Sequence, residues 1–126
     1  DLDTLLKRAH IISLHCPLTP ENNGMINAET LSKMKDGAIL LNTARGALLN
    51  EKDVAEALHQ GKLRGAAVDV VSCEPIASDN PLLTAPNCII TPHMAWAPIE
   101  TRQRILDCTV ASVQGFLAGK PINTVN

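Results

Sequence analysis

The sequence predicts an α/β protein built on a largely parallel sheet. Short apolar runs, HIISLH (10–15), AILLNT (38–43), GAAVDVV (65–71) and CIIT (88–91), alternate with segments of helical periodicity. Within each run the apolar residues are nearly continuous rather than alternating, which is how strands covered on both faces read. Arg45, Glu74 and His93 each lie just past the end of one such run. In parallel α/β sheets, ligands bind in the crevice beyond the carboxyl ends of the strands. A guanidinium, a carboxylate and an imidazole on one such rim can hold an anionic substrate and move a proton.

The elements follow in order. Leu2, Leu5, Leu6 and Ala9 recur at helical spacing over residues 2–9. The strand 10–15 leads into the turn-rich loop CPLTPENNG. Asn27 has capping chemistry ahead of AETLSKMK, and Gly37 suits the left-handed position that ends such a helix. After the strand 38–43, Gly46 lets the chain turn tightly beside Arg45. Asn50 caps EKDVAEALHQ, with Glu51 and Asp53 in the first turn, and Gly61 stops it. The strand 65–71 runs into the proline-rich loop SCEPIASDNPLLTAPN, then the strand 88–91. Pro98 opens a long helix to about residue 118, with Ile99, Leu106, Val110, Val113 and Leu117 on one stripe, and Gly119 ends it. No internal repeat and no linker long enough to divide two domains is present.

Composition narrows the function classes. The 126 residues make one domain or part of one, able to bury roughly two thirds of the unfolded surface. A formal charge of −2 without a basic run argues against nucleic acid or an anionic membrane as partner. No apolar stretch approaches the roughly 20 residues that span a bilayer. Cys16, Cys73, Cys88 and Cys108 form no CxxC pair and no metal-ligand spacing, and His10, His15 and His59 suggest no metal either. Each cysteine lies in or beside an apolar run, which predicts buried free thiols in a reducing, cytoplasmic compartment. No GxGxxG occurs. Either the fold is not a dinucleotide fold, or that half lies upstream of Asp1. The chain opens on a helical pattern without an initiator Met, so a missing front is expected.

Each candidate residue has a functional and a plain reading. Arg45 can hold a carboxylate by two parallel hydrogen bonds, or pair with a nearby surface acid. Glu74 alone reads as an exposed loop carboxylate, and His93 alone as a structural histidine. Together they gain weight. A carboxylate bonded to one ring nitrogen fixes the tautomer, and the other nitrogen then exchanges a proton with substrate. Asp69 interrupts the strand AAVDVV, where a carboxylate is costly without donors. It either caps a backbone N–H or accepts from a ligand's amide or hydroxyl. Cys16 and Pro17 can flank a flat ligand ring, or form an ordinary proline turn. Trp96 can line a substrate pocket beside His93, or pack in a core or interface.

HCPLTPENNGMIN, NTARGALLNE, GAAVDVVSCEP and TPHMAWAP, in this order, resemble the D-isomer-specific 2-hydroxyacid dehydrogenase family across essentially the whole chain. WAPIETRQR and the GKPINTVN ending resemble its glycerate dehydrogenase and hydroxypyruvate reductase branch. The resemblance implies a partial Rossmann-type, doubly wound parallel sheet lacking its first βαβ half, plus the long C-terminal helix. Residues 1–118 would belong to the NAD(P)-binding domain, with 98–118 returning towards a substrate domain and 119–126 a tail of that domain. The implied cofactor is NAD or NADP, the substrate a small 2-keto or 2-hydroxy acid, and the assembly a homodimer. Arg45 would anchor the substrate carboxylate, His93 would exchange the proton and Glu74 would be its partner. Asp69 matches a contact to the nicotinamide carboxamide. Cys16, with Pro17 beside it, Thr43, Ala44 and Ala95 match positions near the cofactor, and Arg45 and His93 border it as well. Trp96 stands where many relatives carry a small residue, so the pocket would be shaped differently.

In the Rossmann strand order 3-2-1-4-5-6, we place HIISLH as strand 3 and AILLNT as strand 4, which leaves HIISLH without a native sheet partner in one copy. That predicts a portion of a longer chain or a swapped oligomer, inactive alone. The resemblance extends to dinucleotide-binding corepressors, so a regulatory module without turnover is the second reading. A dimerisation piece without activity is the third.

Overall fold

The computed structural model describes residues 1–125. It divides into two compact units, Asp1–His93 and Met94–Asn126.

The first unit is a four-stranded, wholly parallel sheet in the order β1 (Ile11–Leu14), β2 (Ala38–Asn42), β3 (Leu63–Val68), β4 (Cys88–Ile90). Around it lie α1 (Leu2–Arg8), α2 (Ala28–Lys33) and α3 (Glu51–His59). Asp1 caps α1 by accepting from the Thr4 N–H at 2.7 Å. Asn27 caps α2 in a reciprocal capping box with Thr30. Asn50 accepts from Asp53 N–H to cap α3. Each cap satisfies donors that a helix start leaves over. Leu6, Leu40, Leu48, Val54, Leu63 and Val68 are each no more than 1% exposed and form the centre of the core.

The sheet corrects the strand assignment. HIISLH has a native partner: Ile11 pairs with Ile39, Ile12 with Leu40, Ser13 with Leu41 and Leu14 with Asn42. A segment of more than twenty residues carrying α2 joins these strands, well above the dozen or so that a parallel crossover needs. HIISLH therefore sits next to AILLNT rather than across two absent strands, and the strand expected to need a swapped partner is paired within the chain.

Several boundaries also move. α2 ends at Lys33, with Met34 extended and drawn into the core at 3% exposure, so Gly37 (φ 74°) serves the turn into β2 rather than the helix end. β3 runs from Leu63 to Val68, so Asp69 follows the strand instead of interrupting it. The strands are not equally covered on both faces. Ile12 and Leu14 are buried whereas Ile11 is 59% exposed, and Ile89 on β4 is 65% exposed. The four thiols are free, yet Cys73 and Cys108 are exposed. Cys73 sits on a surface loop, and Cys108 lies on a helix that buries none of its residues.

The second unit is α4 (Ile99–Leu117) and its tail. Pro98 precedes its first turn and Gly119, at φ 69°, follows its end. The Lys120 N–H donates to the Gly115 carbonyl at 2.8 Å. Asn123 Nδ2 reaches Ser112 Oγ at 3.3 Å, so the tail folds back along the helix. Of the expected tail 119–126, residue 126 lies outside the described residues.

Candidate active site

Because all four strands run the same way, the residues that follow them share one edge of the sheet. Cys16 and Pro17 follow β1, with Cys16 half-buried and Pro17 exposed. The Pro17 carbonyl accepts from Asn22 Nδ2 at 2.8 Å, which holds this turn. Thr43, Ala44 and Arg45 follow β2. Asn42, fully buried at the end of β2, shapes their turn. Its Oδ1 accepts from the Ala44 N–H at 3.0 Å and its Nδ2 donates to the Arg45 carbonyl at 2.9 Å. The exposed Arg45 guanidinium donates from Nη1 to the Ala44 carbonyl at 2.7 Å.

Asp69 follows β3 and is 5% exposed. The Thr91 hydroxyl donates to its Oδ1 at 2.5 Å, and the His93 N–H donates to its backbone carbonyl at 2.8 Å. The buried carboxylate is thus paired, as burial demands, and its main chain ties β3 to the segment carrying His93.

Glu74 and His93 come together. Glu74 Oε2 lies 2.7 Å from His93 Nδ1, and Glu74 Oε1 accepts from the Val71 N–H at 3.3 Å. His93 takes a left-handed backbone conformation (φ 51°), uncommon for a residue with a Cβ. The hydrogen bond from His93 holds the Glu74 carboxyl below the usual carboxylate range; desolvation opposes it and the Val71 N–H assists. An ionised Glu74 only accepts, so Nδ1 carries the hydrogen and Nε2 is the nitrogen able to exchange a proton with a ligand. A cleft of about 410 Å³ opens beside the pair, with Ile76, Leu83 and Ile90 as its apolar wall.

Arg45 stands on the same edge as this pair, two strand positions away. At the ~4.8 Å spacing of neighbouring strands, β2 and β4 are about 10 Å apart, a gap that a long side chain and a small ligand together can bridge. Trp96 and Ala95 belong to the second unit, where both are exposed.

The sequence reading missed Asn42, Thr91 and the close approach of Gly46. Asn42 was detectable by the rule applied to Asp69, since a polar side chain within an apolar run must find partners. Gly46 serves less as a turn residue than as a gap: a Cβ there would lie 2.0 Å from the Val71 carbonyl carbon. Among the described residues, no group of three or more His, Cys, Asp or Glu could hold a metal ion, and no helix is long and apolar enough to cross a membrane.

A parallel α/β sheet with an imidazole–carboxylate pair and a buried acid beyond its strand ends has the layout of a ligand-binding α/β domain. Residues 1–95 match the family model of the D-isomer specific 2-hydroxyacid dehydrogenase, NAD binding domain, and the chain belongs to that family. It is 54% identical over 126 residues to a hydroxypyruvate reductase of Blautia hydrogenotrophica, covering 100% of this chain and 39% of that protein. It is 50% identical over 127 residues to a glycerate dehydrogenase of Methylorubrum extorquens, covering 99% of this chain and 40% of that protein. Its fold matches a D-lactate dehydrogenase with NAD+ from Lactobacillus jensenii at a TM-score of 0.87 and 31% identity, covering 100% of this chain and 42% of that one. The chain thus spans about 40% of the length of these relatives.

Proposed function

We propose that this chain supplies the acid–base part of an NAD- or NADP-dependent D-2-hydroxyacid dehydrogenase that reduces hydroxypyruvate or glyoxylate, or runs the reverse. The observation that carries the reading is the 2.7 Å contact of Glu74 with His93 Nδ1 at the carboxyl edge of a parallel sheet.

The residues present fit a nicotinamide dinucleotide. Asp69 offers a carboxylate acceptor of the kind a carboxamide N–H requires, and Cys16, Pro17, Thr43 and Ala44 bring main chain to the same edge. When bound, the cofactor supplies the hydride. Arg45 pairs with the substrate carboxylate and orients its keto group. His93 gives its Nε2 proton to the substrate oxygen in reduction and takes it back in oxidation. Glu74 keeps the ring in the right tautomer and stabilises its cationic form. The family resemblance adds Ala95 as a cofactor-bordering position and Trp96 as a substrate-bordering one.

The reading includes residues 1–118 as part of the NAD(P)-binding domain, 98–118 as a helix towards a substrate domain and 119–126 as a tail of that domain. It also includes a cytoplasmic homodimer as the working form. The protein as its gene encodes it, assayed with NADH and with NADPH, should consume reduced nicotinamide in the presence of hydroxypyruvate or glyoxylate. The isolated 126 residues should not. Tight NADH binding without turnover of any 2-keto acid would replace this reading with that of a regulatory, corepressor-like module.

A further inference from the structure

Glu51 begins α3, yet its side chain serves a loop more than twenty residues further on. Its Oε1 accepts from the Ser72 N–H at 2.7 Å. Its Oε2 accepts from the Ser72 hydroxyl and from Asn80 Nδ2, both at 2.8 Å. One carboxylate therefore grips the start and the end of residues 72–80. Between those two points Cys73, Glu74, Pro75, Ala77, Ser78 and Asp79 are all exposed, and only Ile76 is half-buried. A segment with so little buried surface has little of its own to fix it.

The grip is anchored at both sides. Asn80 is 8% exposed, and its Oδ1 accepts from the N–H of the core residue Leu82 at 3.0 Å. Ser72 adjoins Val71, whose N–H donates to Glu74 Oε1, and Glu74 Oε2 meets His93. The path runs from the core through Asn80 and Glu51 to Ser72, and from there to the acid–base pair.

We propose that Glu51 is a positioning residue: by holding Ser72 and Asn80, it sets the loop that presents Glu74 to His93. The proposal rests on Glu74 and His93 being the acid–base pair of the proposed reaction. Glu51 is not expected to touch substrate or cofactor, so its removal should act on kcat and not on binding. An ångström-scale misplacement of a catalytic group costs up to about a hundredfold in rate.

The test is a double-mutant cycle in the gene-encoded protein. Glu51→Ala should lower kcat by about tenfold to a hundredfold and leave KM for the keto acid and for reduced nicotinamide within about twofold. In the Glu74→Gln background the same change should have little further effect, because both act through one contact. Glu51→Gln turns an amide towards the Asn80 amide, and Asn80→Asp should restore the contact with its polarity reversed, recovering most of the lost kcat. Full multiplication of the two losses, or a rise in KM at unchanged kcat, would overturn the proposal. Should Glu51→Ala fail to fold, Ser72→Ala deletes only one donor and should give a smaller loss in the same direction.

A second readout needs no turnover. Glu74 faces His93 and Asp69 as its charged neighbours. Its carboxyl titration, followed by NMR, should move upward in Glu51→Ala, in the direction expected for His93→Ala. If the wild-type protein turns over no 2-keto acid, the proposed reaction fails while this titration still decides the role of Glu51. An unmoved Glu74 titration would sink that role.

Discussion

Gly46 and Val71 share a space that admits no side chain. A Cβ on Gly46 would lie 2.0 Å from the Val71 carbonyl carbon and 2.1 Å from its oxygen, with the Ser72 nitrogen at 2.5 Å. Every atom in that list is backbone, so no rotamer change can relieve the clash. Here the turn that bears Arg45 presses directly on the base of the loop that bears Glu74, which couples the placement of the two side chains.

Gly46→Ala should therefore be destabilising out of proportion to one methyl. Overpacking against fixed structure costs about 1–3 kcal/mol, and the forced shift falls on Val71 and Ser72. Thermal melting should show a lower midpoint than wild type, and turnover should fall with it. A wild-type melting curve would show that the two loops can separate freely.

Chemistry and binding should divide between the two candidate side chains. In the gene-encoded protein, His93→Ala should cost about 10²–10⁴ in kcat, the scale of general acid–base catalysis, with little change in cofactor affinity. Arg45→Ala should raise the keto-acid KM and lower kcat together. Normal steady-state kinetics in both variants would remove the assignment.

Asn42→Leu removes the amide that closes the turn before Arg45. It leaves the Ala44 N–H without its Asn42 acceptor and the Arg45 carbonyl with the Leu48 N–H as its remaining donor. An unsatisfied buried group costs about 1–3 kcal/mol, which chemical denaturation should detect. The keto-acid KM should rise as well, because the Arg45 turn loses its brace.

The Glu74 carboxyl sits below its usual range because His93 hydrogen-bonds to the charged form. A depressed folded-state pKa means that the unfolded state binds protons first as pH falls. The stabilisation from this pair is thus present above the ordinary carboxylate range and lost as pH drops through the folded value. His93→Ala should raise the Glu74 midpoint towards the ordinary range and flatten the acid limb of the stability curve. NMR titration of the side-chain carboxyl carbon and denaturation across acidic pH measure the two effects.

Local signals were largely readable in the chain. Asn27 and Asn50 marked helix starts because a capping side chain acts within three residues. The apolar runs located all four strands, and Arg45, Glu74 and His93 stood out because they follow those runs. The misread features all depended on distant partners. Asp69 looked like an interruption because the end of β3 is set by pairing with β2 and β4. Cys73 looked buried beside an apolar run, but the loop it opens lies at the surface.

The sequence by itself determined the element types, their order and the polar groups that follow the strands, since periodicity and caps act over one or two turns. Only the tertiary structure decided that Ile11–Leu14 lies beside Ala38–Asn42, that Gly46 abuts Val71 and that Glu51 grips Ser72 and Asn80. Such contacts join residues tens of positions apart. Their formation depends on crossover geometry and on how well the assembled surfaces fit, quantities that no local window of residues contains.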